Sequence, residues 1–522
     1  MTHYNDLRGY LDALDHLGDL TRIRREVSWN LEAGAITRLS YERSSPAVLF
    51  ENIHGVAPGF RLLGAPAAIS SIPGKPLARI ALSVGLAADI TPARIVDHLA
   101  RARDLPPIPP KKVTQRDAVC KQNILRGEQA SLDRFPIPQI HLQDGGRYAN
   151  TWGVIVARTP DGAWTNWSIT RIMMIDGKHM TDLVIPSQHL GLIWTQWAKI
   201  GKPMPYALVQ GAAPAVPVVG GLPLPQGVDE SGYVGALLGE PLDVVPCETS
   251  DLDVPAAAEI VIEGNVSVRR DGVEGPMGEF PGYVPDQTSM QPIFSVDCIT
   301  HRDNPIWPVV AAGRPVDETH TVAGVGVASE ILADLRSARL PVTTVWLPLH
   351  AAMHWAVITV PANWREQLPN TDSHEFVHRI GKVLQLSRSG RHAPQAYVLD
   401  DDIDPADDTD LIWALATRVH PDHRAEPWLG PINPLMTSYT PTEHASHMGP
   451  VVVHDALLPA GGHGRLPHSS FAQAYPADIQ DRVLAHWNGD NRRSRRREGM
   501  KNCEYCCNAS PVALYQWSLA TP

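Results

Sequence analysis

Glu274 and Glu279 stand five residues apart in Glu274-Gly-Pro-Met-Gly-Glu-Phe-Pro-Gly-Tyr283. Three glycines and two prolines there argue against both regular helix and regular strand, so the segment reads as a loop that aims side chains. Arg171 is the one cation in the apolar run Trp167-Ser-Ile-Thr-Arg-Ile-Met-Met174, which reads as buried strand. Such an arginine offers the two carboxylates a counter-charge. A Glu, Arg, Glu set can bind a substrate carboxylate through the guanidinium and keep one carboxyl free to move a proton.

Asn166, at the start of the same strand, is five residues from Arg171. Period-two alternation sends the pair to opposite faces or to the two ends of something long. The plainer reading is an Asn in a strand-opening turn and an Arg whose stem packs while its head reaches water. Gln188-His189 follows the strand-like Leu183-Val-Ile185 at a turn marked by Pro186. His189 can ligate a divalent ion, although a lone imidazole is more often structural. Glu230, in the glycine-bounded loop Gly227 to Tyr233, can cap a helix or ligate a hard cation. These three residues form no local metal signature, but their mixed oxygen and nitrogen chemistry suits Mg²⁺ or Mn²⁺. Seven Asp residues between Asp400 and Asp410 lack the glycine and glutamate of an EF-hand and read as a turn plus a helix N-cap. Walker A, HExxH, GxSxG and dinucleotide fingerprints are all missing.

Positioning these residues takes several domains. With 522 residues and 43% hydrophobic content, two to four cores are expected. The net charge of -11, with scattered basic residues, argues against nucleic acid as a partner. No apolar run reaches membrane-spanning length, the start lacks signal-peptide order, and the six cysteines form no disulfide framework, so the cytosol is expected. An α/β region over 1–110 is expected to contain a helix carrying Leu7, Leu11, Leu14 and Leu17 and another opened by Thr91-Pro92. Leu105-Pro-Pro-Ile-Pro-Pro110 reads as a connector to a β-rich body over 111–315, with strands at 151–157, 167–175 and 259–268. A single long helix within 316–341 is expected to lead to an α/β domain over 342–490. The Arg- and Cys-rich 491–522 reads as a disordered tail.

Five segments occur in a recognisable order: Trp164 to Arg171, Gln188-His189, Glu230 to Ala236, Glu274 to Glu279 and Asp317-Glu-Thr-His-Thr321. Together they make the chain resemble the UbiD family of reversible decarboxylases, from about residue 4 to residue 487, and within it the ferulic acid decarboxylase-like branch and its (hetero)aromatic acid relatives. The resemblance implies a mixed α/β fold whose central split β-barrel, similar to that of flavin reductases, holds prenylated FMN made by a flavin prenyltransferase. It implies a C-terminal oligomerisation domain and a homodimer or homohexamer. Asn166, His189 and Glu230 would ligate Mn²⁺ or Mg²⁺, and carbonyls of Trp167, Val219, Gly220 and Leu222, with Glu230, would hold K⁺. Ser168, Ile169, Thr170, Arg171 and Gln188 would line the flavin, and Arg388 would stand near its phosphate in place of the family's lysine. Glu279 would be the proton donor, with Arg171 and Glu274 completing the catalytic set.

The chain departs from the ferulic acid pattern at Arg391-His392, at Phe280, and at Ala323, where a larger aliphatic residue is usual. A wide pocket with a flat wall and a polar contact favours a planar pyrrole, indole, phenazine or hydroxybenzoate acid as source of the released CO₂. The alternatives are a cinnamate-type acrylic acid decarboxylase and an inactive flavin-binding assembly partner.

Overall fold

The computed structural model describes residues 3–422, 425–433, 435–459 and 467–487. It divides into two compact units, Met1–Leu457 and Leu458–Pro522.

Leu7, Leu11 and Leu14 are buried along the helix Leu7–His16, whose N-cap Asp6 accepts a hydrogen bond from Gly9 N, whereas Leu17 falls at the C-cap, where the helix has ended, and is exposed. The helix Pro92–Ala102 starts at the expected proline, behind Thr91. A four-stranded sheet follows the order Leu20–Ile23, Ala47–Phe50, Arg61–Gly64, Ile306–Val309. Its last strand comes from far along the chain and pairs parallel to Arg61–Gly64.

The central sheet has ten strands. Its main path runs from Tyr148–Asn150 through Ile172–Met174, His179–Asp182, Ser289–Ser295, Ile260–Glu274, Met204–Gln210 and Val154–Arg158 to Thr165–Ser168. The expected strand over 167–175 is therefore two strands. Thr165–Ser168 pairs with Val154–Arg158 at one end of the path, while Ile172–Met174 pairs with Tyr148–Asn150 and His179–Asp182 near the other. Laid flat, six strand spacings of ~4.8 Å would separate these two by roughly 29 Å. The chain between Ser168 and Ile172 can span at most about 14 Å. The sheet must curl until its ends nearly meet, which is the split barrel. Residues 169–171 cross the split, and the ladder changes partners there, so Arg171 lies outside regular strand.

The strand expected over 259–268 extends to Glu274. Glu274 thus ends a 15-residue strand, and the irregular segment begins only at Gly275. The single helix expected within 316–341 opens instead with π-helical turns over Thr319–Gly324 before the α-helix Val325–Ser337.

A five-stranded sheet follows, in the order Thr344–Trp346, Trp355–Val360, Gln395–Asp400, Met448–Asp455, Ala425–Pro431. Its three central strands are parallel and both edges antiparallel. The helices Ser373–Leu386 and Asp408–Arg418 alternate with these strands. Asp407 caps the second, accepting from Thr409 N and Asp410 N, which accounts for part of the acidic run without calcium. In the second unit, Phe471–Ala474 and residues 477–487 are helical. The expected tail, 491–522, lies outside the described residues. No helix among the described residues is long and apolar enough to cross a membrane.

Candidate active site

Arg171 sits in the split with Glu274 on one side and Glu279 on the other. Its Nη2 donates to Glu274 Oε2 at 2.9 Å, and its Nη1 makes a close ion pair with Glu279 Oε1. Glu274 is buried, and the Tyr148 hydroxyl donates to its Oε1 at 3.1 Å. Beyond Glu274 the chain turns at Gly275, whose φ of 85° favours glycine. Gly145 closes against this turn: a Cβ there would meet Gly275 O at 2.1 Å. Asp144 Oδ1 accepts from Gly278 N at 2.8 Å, and Gly145 N donates to Pro276 O at 2.7 Å. The segment carrying Glu279 is thereby held against the neighbouring loop.

Burial pushes the Glu279 carboxyl above the usual range, and the charge and hydrogen bond of Arg171 pull it back only in part. Burial works against the charge on Arg171, but Glu279 and Glu274 more than compensate and raise its pKa, so the guanidinium stays charged. Asp182 is also fully buried here and accepts from Thr170 Oγ1 at 2.5 Å. Desolvation pushes it up to about 8, against that hydrogen bond. Neither Asp182 nor Tyr148 was legible as a site residue. The only available signal was an acid at the head of Asp182-Leu-Val-Ile185, and for Tyr148 none.

A second cluster gathers Asn166, His189 and Glu230, all buried. Asn166 Nδ2 lies 2.7 Å from Glu230 Oε1 and 3.2 Å from His189 Nδ1. Glu230 Oε2 accepts from Trp167 N at 2.8 Å, and Trp164 packs edge-on to the His189 ring with centroids 4.9 Å apart. His189 is the first residue of the helix His189–Lys199, and Glu230 the first of Glu230–Leu238. Two helix N-termini thus meet at one point, the second capped by Asp229, which accepts from Ser231 N at 2.9 Å. Arg388 donates to Leu224 O at 3.0 Å and lies hard against His189 Nε2. Burial lowers the pKa of Arg388, with Arg391 adding repulsion.

This donor set fits a divalent cation. It offers one amide, one imidazole and one carboxylate, all shielded from water, a chemistry suited to Mg²⁺ or Mn²⁺. The described residues contain no group of three His, Cys, Asp or Glu able to hold a metal, so this mixed set is the one to consider. Gly220 ends the helix Ala215–Gly220 and approaches Trp167: a Cβ there would lie 2.7 Å from Val154 Cγ1 and 3.5 Å from Trp167 O. Ile169 N donates to Gly220 O at 3.0 Å, and Leu222 N to Val219 O at 3.0 Å. The four carbonyl-bearing residues expected around a monovalent ion therefore sit on adjoining backbone.

One cavity of about 380 Å³ connects the clusters. Ser168, Ile169, Thr170 and Arg171 form one wall and Gln188, His189 and Glu230 another, with Gly220, Leu222 and Arg388 also lining it. Glu279, Phe280, Ala323, Met353, His392 and Asn433 line it too. Asn166, Trp167, Val219 and Glu274 do not line it and support it from behind. The strand carrying Asn166 ends at Ser168, so period-two alternation does not extend from Asn166 to Arg171. Both Arg391 and His392 line the cavity; burial first, then the charges of Arg391 and Arg388, push the His392 imidazole down to about 4, so it is neutral.

Profiles of the 3-octaprenyl-4-hydroxybenzoate carboxy-lyase (UbiD) family match the chain in three parts: the N-terminal domain over 11–101, the Rift-related domain over 111–315 and the C-terminal domain over 320–456. The chain belongs to the UbiD family of carboxy-lyases. It is 41% identical over 486 residues to pyrrole-2-carboxylic acid decarboxylase of Pseudomonas aeruginosa, covering 92% of this chain and 97% of that one. It is 40% identical over 420 residues to ferulic acid decarboxylase 1 of Saccharomyces cerevisiae, covering 80% and 83%. Among solved structures it resembles an evolved dimeric form of the UbiD-class enzyme HmfF from Pelotomaculum thermopropionicum in complex with prFMN, with TM-score 0.74, 26% identity and coverage of 91% and 100%. It also resembles the open form of vanillic acid decarboxylase from Sedimentibacter hydroxybenzoicus, with TM-score 0.78, 25% identity and coverage of 95% and 100%.

Proposed function

We propose that the protein catalyses reversible, non-oxidative decarboxylation of a (hetero)aromatic carboxylic acid, with Glu279 as proton donor. The observation that carries this reading is the Glu274, Arg171, Glu279 set, with Arg171 and Glu279 on the wall of the cavity and Glu274 buried behind them. An inactive binding partner has no use for an acid of raised pKa beside a fixed guanidinium. The presence of pyrrole-2-carboxylic acid decarboxylase among its relatives supports the aryl substrate class.

Prenylated FMN, when bound, supplies an electron sink for the pair left on the ring carbon as the bond to CO₂ breaks. Arg171 holds the substrate carboxylate and keeps both glutamates in register. Glu279, whose carboxyl burial holds above its ordinary pKa, is the group assigned to give a proton to the ring carbon, and Arg171 stabilises the carboxylate that results. The reverse direction takes the proton back to the same oxygen. Phe280 offers a flat wall, Ala323 leaves width, and neutral His392 can exchange a hydrogen bond with a ring heteroatom or hydroxyl.

Asn166, His189 and Glu230 are assigned to Mn²⁺ or Mg²⁺, and the carbonyls of Trp167, Val219, Gly220 and Leu222, with Glu230, to K⁺. Both ions would stand between the protein and the cofactor phosphate. A flavin prenyltransferase is the assigned cofactor supplier, a homodimer or homohexamer the assembly and the cytosol the compartment, all on the family resemblance.

The test is CO₂ release by protein co-expressed with a flavin prenyltransferase, assayed against pyrrole, indole, phenazine, hydroxybenzoate and cinnamate acids. An aryl acid is expected to have the highest kcat/KM, and a higher value for cinnamate would overturn the substrate class. Ala323→Ile is expected to lose the larger rings and keep the smaller ones.

A further inference from the structure

We infer that His320 is a positioning residue that sets the proton donor by gripping the backbone carbonyl of Phe280, the residue after Glu279. The inference rests on the decarboxylase reading above. It also gives Asp317-Glu-Thr-His-Thr321 a task in the site.

His320 is buried, and its two ring nitrogens have defined partners. Nε2 lies 3.1 Å from Phe280 O. Nδ1 lies 3.0 Å from Asp317 N and 3.2 Å from Asp317 Oδ1. If Nδ1 accepts from the backbone amide, the ring's hydrogen is on Nε2. If Nδ1 donates to the carboxylate while Nε2 also donates, the ring is protonated. The remaining tautomer would set a bare Nε2 against the carbonyl oxygen, two lone pairs facing each other in a buried site, and is excluded. Either acceptable state donates Nε2–H to Phe280 O.

The grip matters because the other hydrogen bonds around Glu279 are mostly local. Glu279 N donates to Tyr283 O at 3.0 Å and Gly282 N to Glu279 O at 2.9 Å, both within the turn. Upstream, Gly278 N is held by Asp144. Apart from the Arg171 ion pair, the His320 contact is the one hydrogen bond joining residues 279–283 to another element, among the described residues.

The anchor itself is stiff. Asp317 accepts from Gly313 N at 3.0 Å and Thr319 N at 2.8 Å. Glu318 accepts from the Tyr41 hydroxyl at 2.7 Å and Ala67 N at 3.1 Å, and Thr321 Oγ1 donates to Ala67 O at 2.8 Å. The same π-helical turns put Thr319, Val322 and Ala323 on the cavity wall. His320 thus links the surface that faces the substrate to the backbone that carries the acid. A donor displaced by about 1 Å costs on the order of 10²-fold in rate.

His320→Asn and His320→Gln separate positioning from bulk. The Gln amide reaches as far as Nε2 and can still donate to Phe280 O, whereas the Asn amide ends near Nδ1 and cannot. Three measurements are made on each variant and on wild type: hydrogen–deuterium exchange of residues 276–284, retained flavin, and kcat with KM on the best aryl acid. His320→Asn is expected to exchange faster over 276–284 with strand 260–274 unchanged, to keep its flavin, and to lose about 10- to 100-fold in kcat at a KM within about threefold of wild type. His320→Gln is expected to recover native exchange and kcat to within about fivefold. The inference is overturned if Asn shows native exchange and kcat within about twofold, if Asn loses flavin in place of kcat, or if Gln is no better than Asn. A wild-type holoenzyme that releases CO₂ from no acid would remove the decarboxylase reading, while the exchange data would still decide whether His320 holds the segment.

Discussion

The Arg171 end and the His189 end of the cavity are built from different backbone and arrange their charges differently. Around Arg171 the side chains hang from a chain crossing, a strand end and a loop, and one buried and one half-buried carboxylate share one guanidinium. The surplus negative charge and the burial leave Glu279 reluctant to ionise. Around His189 two ligand candidates begin helices, so the backbone contributes positive potential, and Arg388 adds a cation. One end is suited to storing a proton and the other to attracting an anion. A shared cavity can thus divide chemistry from cofactor retention.

Substitutions can break that division. The largest effect is expected for Glu279→Gln, which keeps the side chain's size but not its proton. CO₂ release should fall by roughly 10²- to 10⁴-fold while flavin absorbance persists. Activity within about tenfold of wild type would remove Glu279 from the proton-donor role. Arg171→Lys should follow, losing on the order of 10²-fold, because an ammonium cannot span Glu274 and Glu279 as the fork does. Its flavin content should also persist, and a kcat/KM near wild type would contradict the clamp.

At the other end the pattern should invert. His189→Ala and Glu230→Ala are expected to purify with less flavin and less divalent metal, measured by absorbance and elemental analysis. The fraction that keeps its cofactor should remain active per flavin. Unchanged metal and flavin in both variants would show that this end does not hold the phosphate.

The smallest effect concerns Asp182. Its folded pKa of about 8 exceeds the usual value of 3.8, so the folded state binds the extra proton between these limits. Stability from this group is present below about pH 4 and is lost as pH rises towards about 8. Asp182→Asn should flatten the fall in Tm over that interval while keeping an acceptor for Thr170. Parallel Tm profiles for variant and wild type would show that Asp182 is not the titrating group.

Much of this site was legible because its residues break local rules. A charge in the apolar run at Arg171, and two carboxylates in a Gly- and Pro-rich segment, are anomalies that short-range patterns expose. Leu7, Leu11 and Leu14 and the Thr91-Pro92 start likewise marked helices through periodicity and capping, which act within a few residues. The strand break at 169–171 escaped notice because its residues look like good strand formers. What ends the strand is a change of ladder partner, from Val154–Arg158 to His179–Asp182 and Tyr148–Asn150. The same limit hid Tyr148, 126 positions from the glutamate it contacts, and the His320 link to Phe280.

Residue chemistry and short-range stereochemistry fixed which groups could act here: a guanidinium, two carboxylates, an imidazole and an amide, borne on segments whose glycines, prolines and caps shape the local chain. Folding supplied their distances and their protonation. Curling of the sheet brings Ser168 and Ile172 to opposite sides of a split and sets Arg171 within it. Burial then raises Glu279 and Asp182 by removing the water that would solvate their charges. Desolvation and long-range pairing depend on atoms distant in the chain, so neither can be read from a window of neighbouring residues.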